Sequence, residues 1–359
     1  MKRFAWLDYF RFSSAVAVVM FHYTVNNINN GSVKFETNYG IVSDIFQYGY
    51  LGVDVFFIIS GFVILLSAMG RTPAEFAVSR ATRLFPAFLF CMTLTTCVVF
   101  FSGMPTITLP RYIANLTMVP AHIGFEAVDG VYWSLAFEIL FYATVFAILL
   151  IGRIKHIRKI LAAYTTVSLV LFLIDAHVFG FGGYFMLFAA GCALYLIYHD
   201  SKKAFALVLF AVSAMLSVVG AHERASEILE SGRLAISPAT VSIILSAVYV
   251  CFYSLTVFIG SNINLPYSRE IGATTYPLYL IHNVIGIILF QKINHTYTQW
   301  EALLFVTTII IVMSFLIYRF YEKITYGFWR DFFKILFTKP IQLMKRIRIH
   351  NANFKQWWD

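Results

Sequence analysis

Hydrophobic residues fall along this chain in blocks of about twenty, and the short stretches between them hold most of the charge. A helix of about twenty apolar residues crosses a hydrocarbon layer roughly 30 Å thick. It also satisfies its own backbone hydrogen bonds, which lipid cannot do. The pattern predicts spans at 5–26, 49–69, 84–102, 131–151, 158–177, 181–198, 203–220, 237–258, 271–290 and 301–321. The expected fold class is an all-α integral membrane protein, a bundle of about ten transmembrane helices. Residues 1–325 are expected to form the membrane domain and 326–359 a separate tail. In that tail Phe332, Phe333, Ile335, Leu336 and Phe337 interleave with Lys334 and Lys339, followed by Lys345, Arg346, Arg348, Trp357 and Trp358. Such a basic amphipathic stretch reads as a segment lying on the inner leaflet and touching membrane lipids. A partner-binding helix carries the same pattern.

Composition strengthens the membrane reading. Hydrophobic residues make up 60% of the 359 and charged residues only 13%, against about 25% in soluble domains. The first block keeps Asp8, Arg11 and His22 and lacks a small-residue cleavage site, so it reads as a span and not as a cleaved leader. The net charge of +9 sits in short loops and the tail. That placement favours a membrane surface over nucleic acid. With the N-terminus inside, twenty-one Lys and Arg fall on the inner side and five, Lys34, Arg111, Arg224, Arg233 and Lys292, on the outer. This asymmetry predicts both termini inside. The sequons at Asn30, Asn115 and Asn294 then lie outside. Cys91, Cys97, Cys192 and Cys251 lie in apolar blocks with no ligand spacing, so no metal is expected and core packing is their role.

Ionisable groups inside spans are costly and each suggests function. Arg11 and His22 are eleven residues apart, which at about 100° per residue returns them to one face, about 16 Å apart along the axis. Asp8 is three residues before Arg11, placed to pair with it. Snorkelling and an interhelical bond are the structural alternatives for Arg11 and His22. Asp54 lies one turn into the second span, near the depth of His22, where it would orient the imidazole; a helix N-terminal charge is the alternative. Gly52 and Gly61 mark close helix packing. Arg80 and Arg83 share a face at the inner surface and suit a phosphate, although simple anchoring gives the same spacing. Ser134 and Glu138 face the same way in the fourth span, beside Trp133. Tyr276-Pro-Leu-Tyr279 leads to a second imidazole, His282, which a structural hydrogen bond would also explain.

These stretches together resemble the membrane-bound acyltransferase type 3 family. Its Arg-to-His spacing is matched by Arg11 and His22, and its Gly-Val-Asp to Ser-Gly-Phe segment by Gly52 to Phe62. Its Arg-x-x-Arg pair is matched by Arg80 and Arg83, its Trp-Ser-Leu-x-x-Glu segment by Trp133 to Glu138, and its Tyr-Pro-x-Tyr-x-x-His segment by Tyr276 to His282. One departure is visible: Tyr9 and Phe12 stand where glycines are usual in the first motif. The chain ends too early for the hydrolase-like C-terminal domain of some relatives. The resemblance implies transfer of an acyl group, usually acetyl from acetyl-CoA, to a hydroxyl of a carbohydrate or lipid-linked glycan in the envelope, at a bacterial inner membrane. Acyl-CoA would be a co-substrate, with no tightly bound cofactor. Arg11, Arg80 and Arg83 would hold it. His22 would be the base with Asp54 orienting it, and Glu138 would join them. An acyl-histidine intermediate also fits. Asp8, Trp133, Ser134, Tyr279 and His282 would bind substrate or support the site. A carrier for a lipid-linked sugar is the competing reading.

Overall fold

The computed structural model describes residues 4–33, 39–176, 178, 180–199, 203–293 and 295–355, without the side chains of 339 and 342–355. Lys2, Arg3, Lys34, Lys202, Asn294, Trp357 and Trp358 lie outside the described residues, as do the side chains of Lys339, Lys345, Arg346 and Arg348. The described residues form helices and loops, with no strand.

The principal helices are α1 (Ala5–Phe21), α2 (Gly52–Ala68), α3 (Pro73–Ser102), α4 (Trp133–Leu150), α5 (Ile157–Leu173) and α6 (Gly183–His199). They continue with α7 (Lys203–Glu230), α8 (Pro238–Ser254), α9 (Ser268–Ile293), α10 (Gln299–Leu316) and α11 (Lys323–Lys355). Eight stretches of the described residues are long and apolar enough to cross a membrane, which makes this a multi-pass membrane protein. Of the ten expected spans, α1 and α6 fall outside those eight. Helix α6 is 17 residues long, and α1 carries Asp8 and Arg11, with His22 directly after it, which lower the hydropathy of that stretch.

Helix α2 lies at the centre, with α1 against one side and α6 against another; α9 packs on α1, α3 and α10. Burial follows that order: 83% of the span that includes α2 is covered by protein and 72% of α9, against 17% of the span that includes α5. The remaining apolar faces are left for lipid. The α2–α6 crossing is close because Gly61 and Gly191 meet there. A Cβ on Gly61 would strike the Phe188 carbonyl, and one on Gly191 the Ile58 carbonyl. Gly52 rests on the Ser14 carbonyl of α1 in the same way.

Two elements differ from the sequence expectation. Helix α3 starts eleven residues before the predicted 84, at a capping box in which Thr72 Oγ1 accepts from the Glu75 amide and Glu75 Oε2 accepts from the Thr72 amide. Arg80 and Arg83 are therefore inside a continuous helix. Helix α7 continues ten residues past the predicted end at 220, because Ala221 and Ala225 are buried and Arg224 finds a partner. After α10 a π-helical turn at Ile317–Glu322 leads into α11, which lies along α3 through Phe85 with Trp329 and Phe333. Asn115 is fully buried and bonds to the Arg111 and Glu126 carbonyls and the Val128 amide, so that sequon is a loop clamp.

Candidate active site

Helices α1, α2, α3, α4 and α9 and the start of α11 surround a cavity of about 910 Å³, at the upper end of the usual ligand range of roughly 300–1,000 Å³. One end carries Asp8, Arg11, Arg80, Arg83, Arg269, Glu270, Glu322 and Lys323. Four guanidiniums from three helices thus face one space. Arg83 Nη2 donates to the Gly272 carbonyl at 3.3 Å, and its Nη1 stands 3.8 Å from Glu322. Arg80 Nη2 donates to Ser79 Oγ at 3.0 Å, while its Nε is buried without a partner. A buried guanidinium nitrogen without an acceptor calls for one. Asp8 lies tight against Gly272 of α9, where a Cβ would have no room. The departure at Tyr9 has its own use: its hydroxyl donates to the Pro266 carbonyl at 2.6 Å, tying α1 to the segment before α9.

Further in, the wall holds Glu138, Ser134, Tyr276 and Tyr279. Glu138 Oε1 accepts from Ser60 Oγ at 3.0 Å and from the Tyr142 hydroxyl, so motifs of α2 and α4 converge on one carboxylate. Ser134 Oγ and the Tyr279 hydroxyl are 2.7 Å apart, and the Tyr279 hydroxyl lies 2.9 Å from the Val131 carbonyl, to which it donates.

Beyond Tyr279 sit the two imidazoles. The His282 ring is 5.6 Å from the Tyr279 ring and 5.1 Å from the His22 ring, centroid to centroid. His282 Nδ1–H donates to the Tyr279 carbonyl at 2.7 Å, and its Nε2 is buried without a partner. His22 begins a π-helical turn, His22–Asn26. Such turns are frequent at functional sites, and this one brings Asn26 Nδ2 to 3.2 Å from His22 Nδ1. Neither imidazole lines the cavity, which reaches their neighbour Tyr279.

Asp54 is not beside His22 in its bonding. Its Oδ1 accepts from Arg224 Nη2 at 2.9 Å, with the pair largely buried, and the guanidinium lies 4.2 Å from the Tyr184 ring centroid. The expectation that Asp54 orients the imidazole has no hydrogen bond behind it among the described residues: the π-turn after α1 sets the His22 ring beside His282 of α9, while Asp54 is ion-paired to α7. Trp133 is half-exposed and packs on Tyr184 and Phe137. The carboxylate connected to His22 by side chains is Asp129, in the loop before α4, through Asn283, Asn27 and Asn26. Sequence reasoning passed over it because it lies outside the predicted spans. The adjacent amides at Asn26, Asn27 and Asn283, each beside or near a histidine, were the available signal.

A membrane-embedded helical bundle with a cationic cavity leading to paired histidines defines the class. The chain belongs to the membrane-bound acyltransferase type 3 family: the model of that family's acyltransferase domain matches residues 4–319. Two relatives illustrate the range. The exopolysaccharide production protein ExoZ of Rhizobium meliloti (strain 1021) is 37% identical over 108 residues, covering 27% of this chain and 33% of that protein. The O-acetyltransferase OatA of Staphylococcus aureus (strain NCTC 8325 / PS 47) is 28% identical over 324 residues, covering 76% of this chain and 52% of that protein. The chain thus spans between a third and about half of the length of these relatives. No solved structure matches.

Proposed function

We propose that the protein moves a short acyl group, acetyl in the first instance, from acetyl-CoA to a hydroxyl of a cell-surface carbohydrate, either a polysaccharide or a lipid-linked glycan. The observation that carries this reading is the cavity in which Arg11, Arg80 and Arg83 stand together at one end and the Ser134–Tyr279 pair at the other. Guanidinium forks match phosphate oxygens in geometry and charge, which suits the diphosphate and 3′-phosphate of CoA. The extended pantetheine arm would then run past Glu138, whose carboxylate accepts amide N–H groups, and carry the thioester toward Tyr279 and the imidazoles. There the acceptor oxygen attacks the thioester carbonyl, an imidazole takes the hydroxyl proton, and the C–S bond breaks to release CoA. The names of the relatives, an O-acetyltransferase and an exopolysaccharide production protein, support acyl transfer and a glycan acceptor.

The same proposal includes ten spans with both ends inside, the cationic mouth of the cavity on the cytoplasmic side of a bacterial inner membrane, and residues 326–359 at the inner leaflet. The test is thermal stabilisation of the detergent-purified protein by CoA and acetyl-CoA. Binding at a hundredfold excess over the dissociation constant is expected to add about 2.7 kcal/mol of stability. Arg80→Ala combined with Arg83→Ala is expected to weaken CoA binding by at least about tenfold, since a hydrogen bond to a charged group contributes about 1.5–3 kcal/mol. No stabilisation by any acyl-CoA would overturn the reading in favour of a carrier.

A further inference from the structure

Asp129 is fully buried and acts as the end of a hydrogen-bonded chain. Its Oδ2 accepts from the Val284 amide at 2.9 Å, and its Oδ1 from the Val131 amide at 3.2 Å and from Asn283 Nδ2 at 2.9 Å. Asn27 Nδ2 donates to Asn283 Oδ1 at 3.3 Å, and Asn26 Nδ2 donates to Asn27 Oδ1 at 3.2 Å. The last link is Asn26 Nδ2 to His22 Nδ1 at 3.2 Å. A carboxylate only accepts. Asn283 must therefore turn its amino group to Asp129 and its oxygen to Asn27. Asn27 must then turn its amino group to Asn283, and Asn26 must donate to Asn27. The second hydrogen of Asn26 is left for His22, so His22 Nδ1 accepts and the ring proton sits on Nε2.

His282 is held in the opposite tautomer. Its Nδ1–H is committed to the Tyr279 carbonyl, so its buried, unpartnered Nε2 carries the lone pair. Around it, side chains take up both ends of one helical hydrogen-bond step. Val284 N–H goes to Asp129 and the Leu280 carbonyl accepts from the Tyr132 hydroxyl at 3.1 Å, while the His282 carbonyl accepts from the Tyr23 hydroxyl at 2.7 Å. One carboxylate thus braces both histidines.

From this we infer that the two imidazoles divide the reaction: His282 Nε2 takes the acceptor hydroxyl proton, His22 Nε2–H donates to the thioester oxygen, and Asp129 is the positioning residue that sets the His22 tautomer through three asparagines. This rests on the acyl-transfer reading above, and it reverses the base assignment that the family motif suggests for His22. The proton balance closes. As the acceptor C–O bond forms, the hydroxyl proton moves to His282 Nε2. The thioester oxygen, negative in the tetrahedral state, is met by His22 Nε2–H. When the carbonyl re-forms and the C–S bond breaks, the departing thiolate takes the proton from His282, leaving both rings as they began.

The test has two independent readouts. The first is ¹⁵N NMR of histidine-labelled protein in nanodiscs, with His22 and His282 assigned by single substitutions. Wild type is expected to show His22 protonated at Nε2 and His282 at Nδ1. In Asp129→Asn the new amino group meets a backbone donor whichever way it turns, Val131 N–H or Val284 N–H, so the chain loses its fixed direction and part of the His22 population is expected to shift to the Nδ1–H form. Asn27→Leu cuts the chain midway and is expected to give a mixture, which keeps the test informative if Asp129→Asn fails to fold. The second readout is the initial rate of label transfer from [¹⁴C]acetyl-CoA into envelope glycan in inverted membrane vesicles. His282→Gln is expected to lose at least about 10²-fold, the scale of general-base catalysis. His22→Gln keeps a donor near the same place and is expected to stay within about tenfold of wild type, beside the larger loss typical of removing an oxyanion donor outright. Asp129→Asn is expected to lose at least about tenfold with CoA affinity unchanged. His22 protonated at Nδ1 in wild type, or His22→Gln falling as far as His282→Gln, overturns the inference. No label transfer by wild type overturns the acyl-transfer reading instead, while the tautomers still decide the relay.

Discussion

Asp54 and Arg224 show how much a partner changes the meaning of a charged residue. From the sequence, Asp54 shares a depth with His22 and Arg224 belongs to an outer loop. In the folded chain they are each other's counter-ion, with Asp54 almost wholly buried and Arg224 Nη1 buried without a further partner. Removing one member of a buried pair leaves an uncompensated charge and costs about 3–5 kcal/mol. Asp54→Ala is therefore expected to lower stability sharply in detergent, measured by thermal unfolding, with CoA affinity of the folded fraction unchanged. A variant of normal stability that is catalytically dead would return Asp54 to the chemistry. Other candidates come together: Arg11, Ser134 and Glu138, singled out as polar groups within spans, line one cavity with Tyr279 and with Arg80 and Arg83, which the sequence puts at the inner surface. Asp129 and the asparagines were not legible, because their importance lies in the order of bonds between three separate segments, and no spacing along the chain encodes that order.

At the scale of elements, hydropathy predicts ten spans; the centre of each falls within one of α1–α10, eight of which belong to stretches long and apolar enough to cross a membrane, and the ends are the weak point. A helix continues past its apolar block whenever capping or tertiary partners satisfy its extra turns, as Thr72 and Glu75 do for α3 and Arg224 does for α7. Without the early start of α3, Arg80 and Arg83 would sit in a loop with no fixed direction. Thr72→Ala is expected to cost about 1 kcal/mol, the usual value of an N-cap, seen as a small fall in melting temperature. The glycines were legible at Gly52 and Gly61, since lipid gives no hydrophobic drive to helix pairing and close packing must supply the attraction. Gly61→Ala places a methyl on the Phe188 carbonyl. With α2 and α6 forced apart, the loss is expected to reach or exceed the roughly 1–3 kcal/mol of ordinary overpacking. Gly327→Ala in α11 meets nothing within 4 Å and serves as the control. It should be neutral or stabilising by up to about 1 kcal/mol through helix propensity. Equal losses in the two variants would mean that the crossing does not depend on the small residues.

At the scale of the whole molecule, the cationic end of the cavity and the sign pattern of the loops must agree if the donor comes from the cytoplasm. Arg80, Arg83, Arg269 and Lys323 belong to the set that the charge asymmetry puts inside, and all four line the cavity. These are separate arguments: one concerns how the chain is inserted, and the other where a polyanion finds guanidiniums. Moving phosphates through the apolar part of the bundle would cost far more than any contact beyond it returns, so on the proposed reading a CoA donor would meet the protein from the side where those cations stand. Single cysteines at positions 34 and 202, in a background lacking the four native cysteines, give a direct check. In intact cells a membrane-impermeant maleimide is expected to label position 34 and to spare position 202 until the membrane is opened. In sealed inverted vesicles, whose cytoplasmic face is outward, added [¹⁴C]acetyl-CoA should be used at once, and right-side-out vesicles should need permeabilisation first. Labelling of position 202 in intact cells would reverse the orientation. Immediate use of acetyl-CoA by right-side-out vesicles, with the labelling as expected, would mean that the donor enters from the opposite face to Arg80 and Arg83.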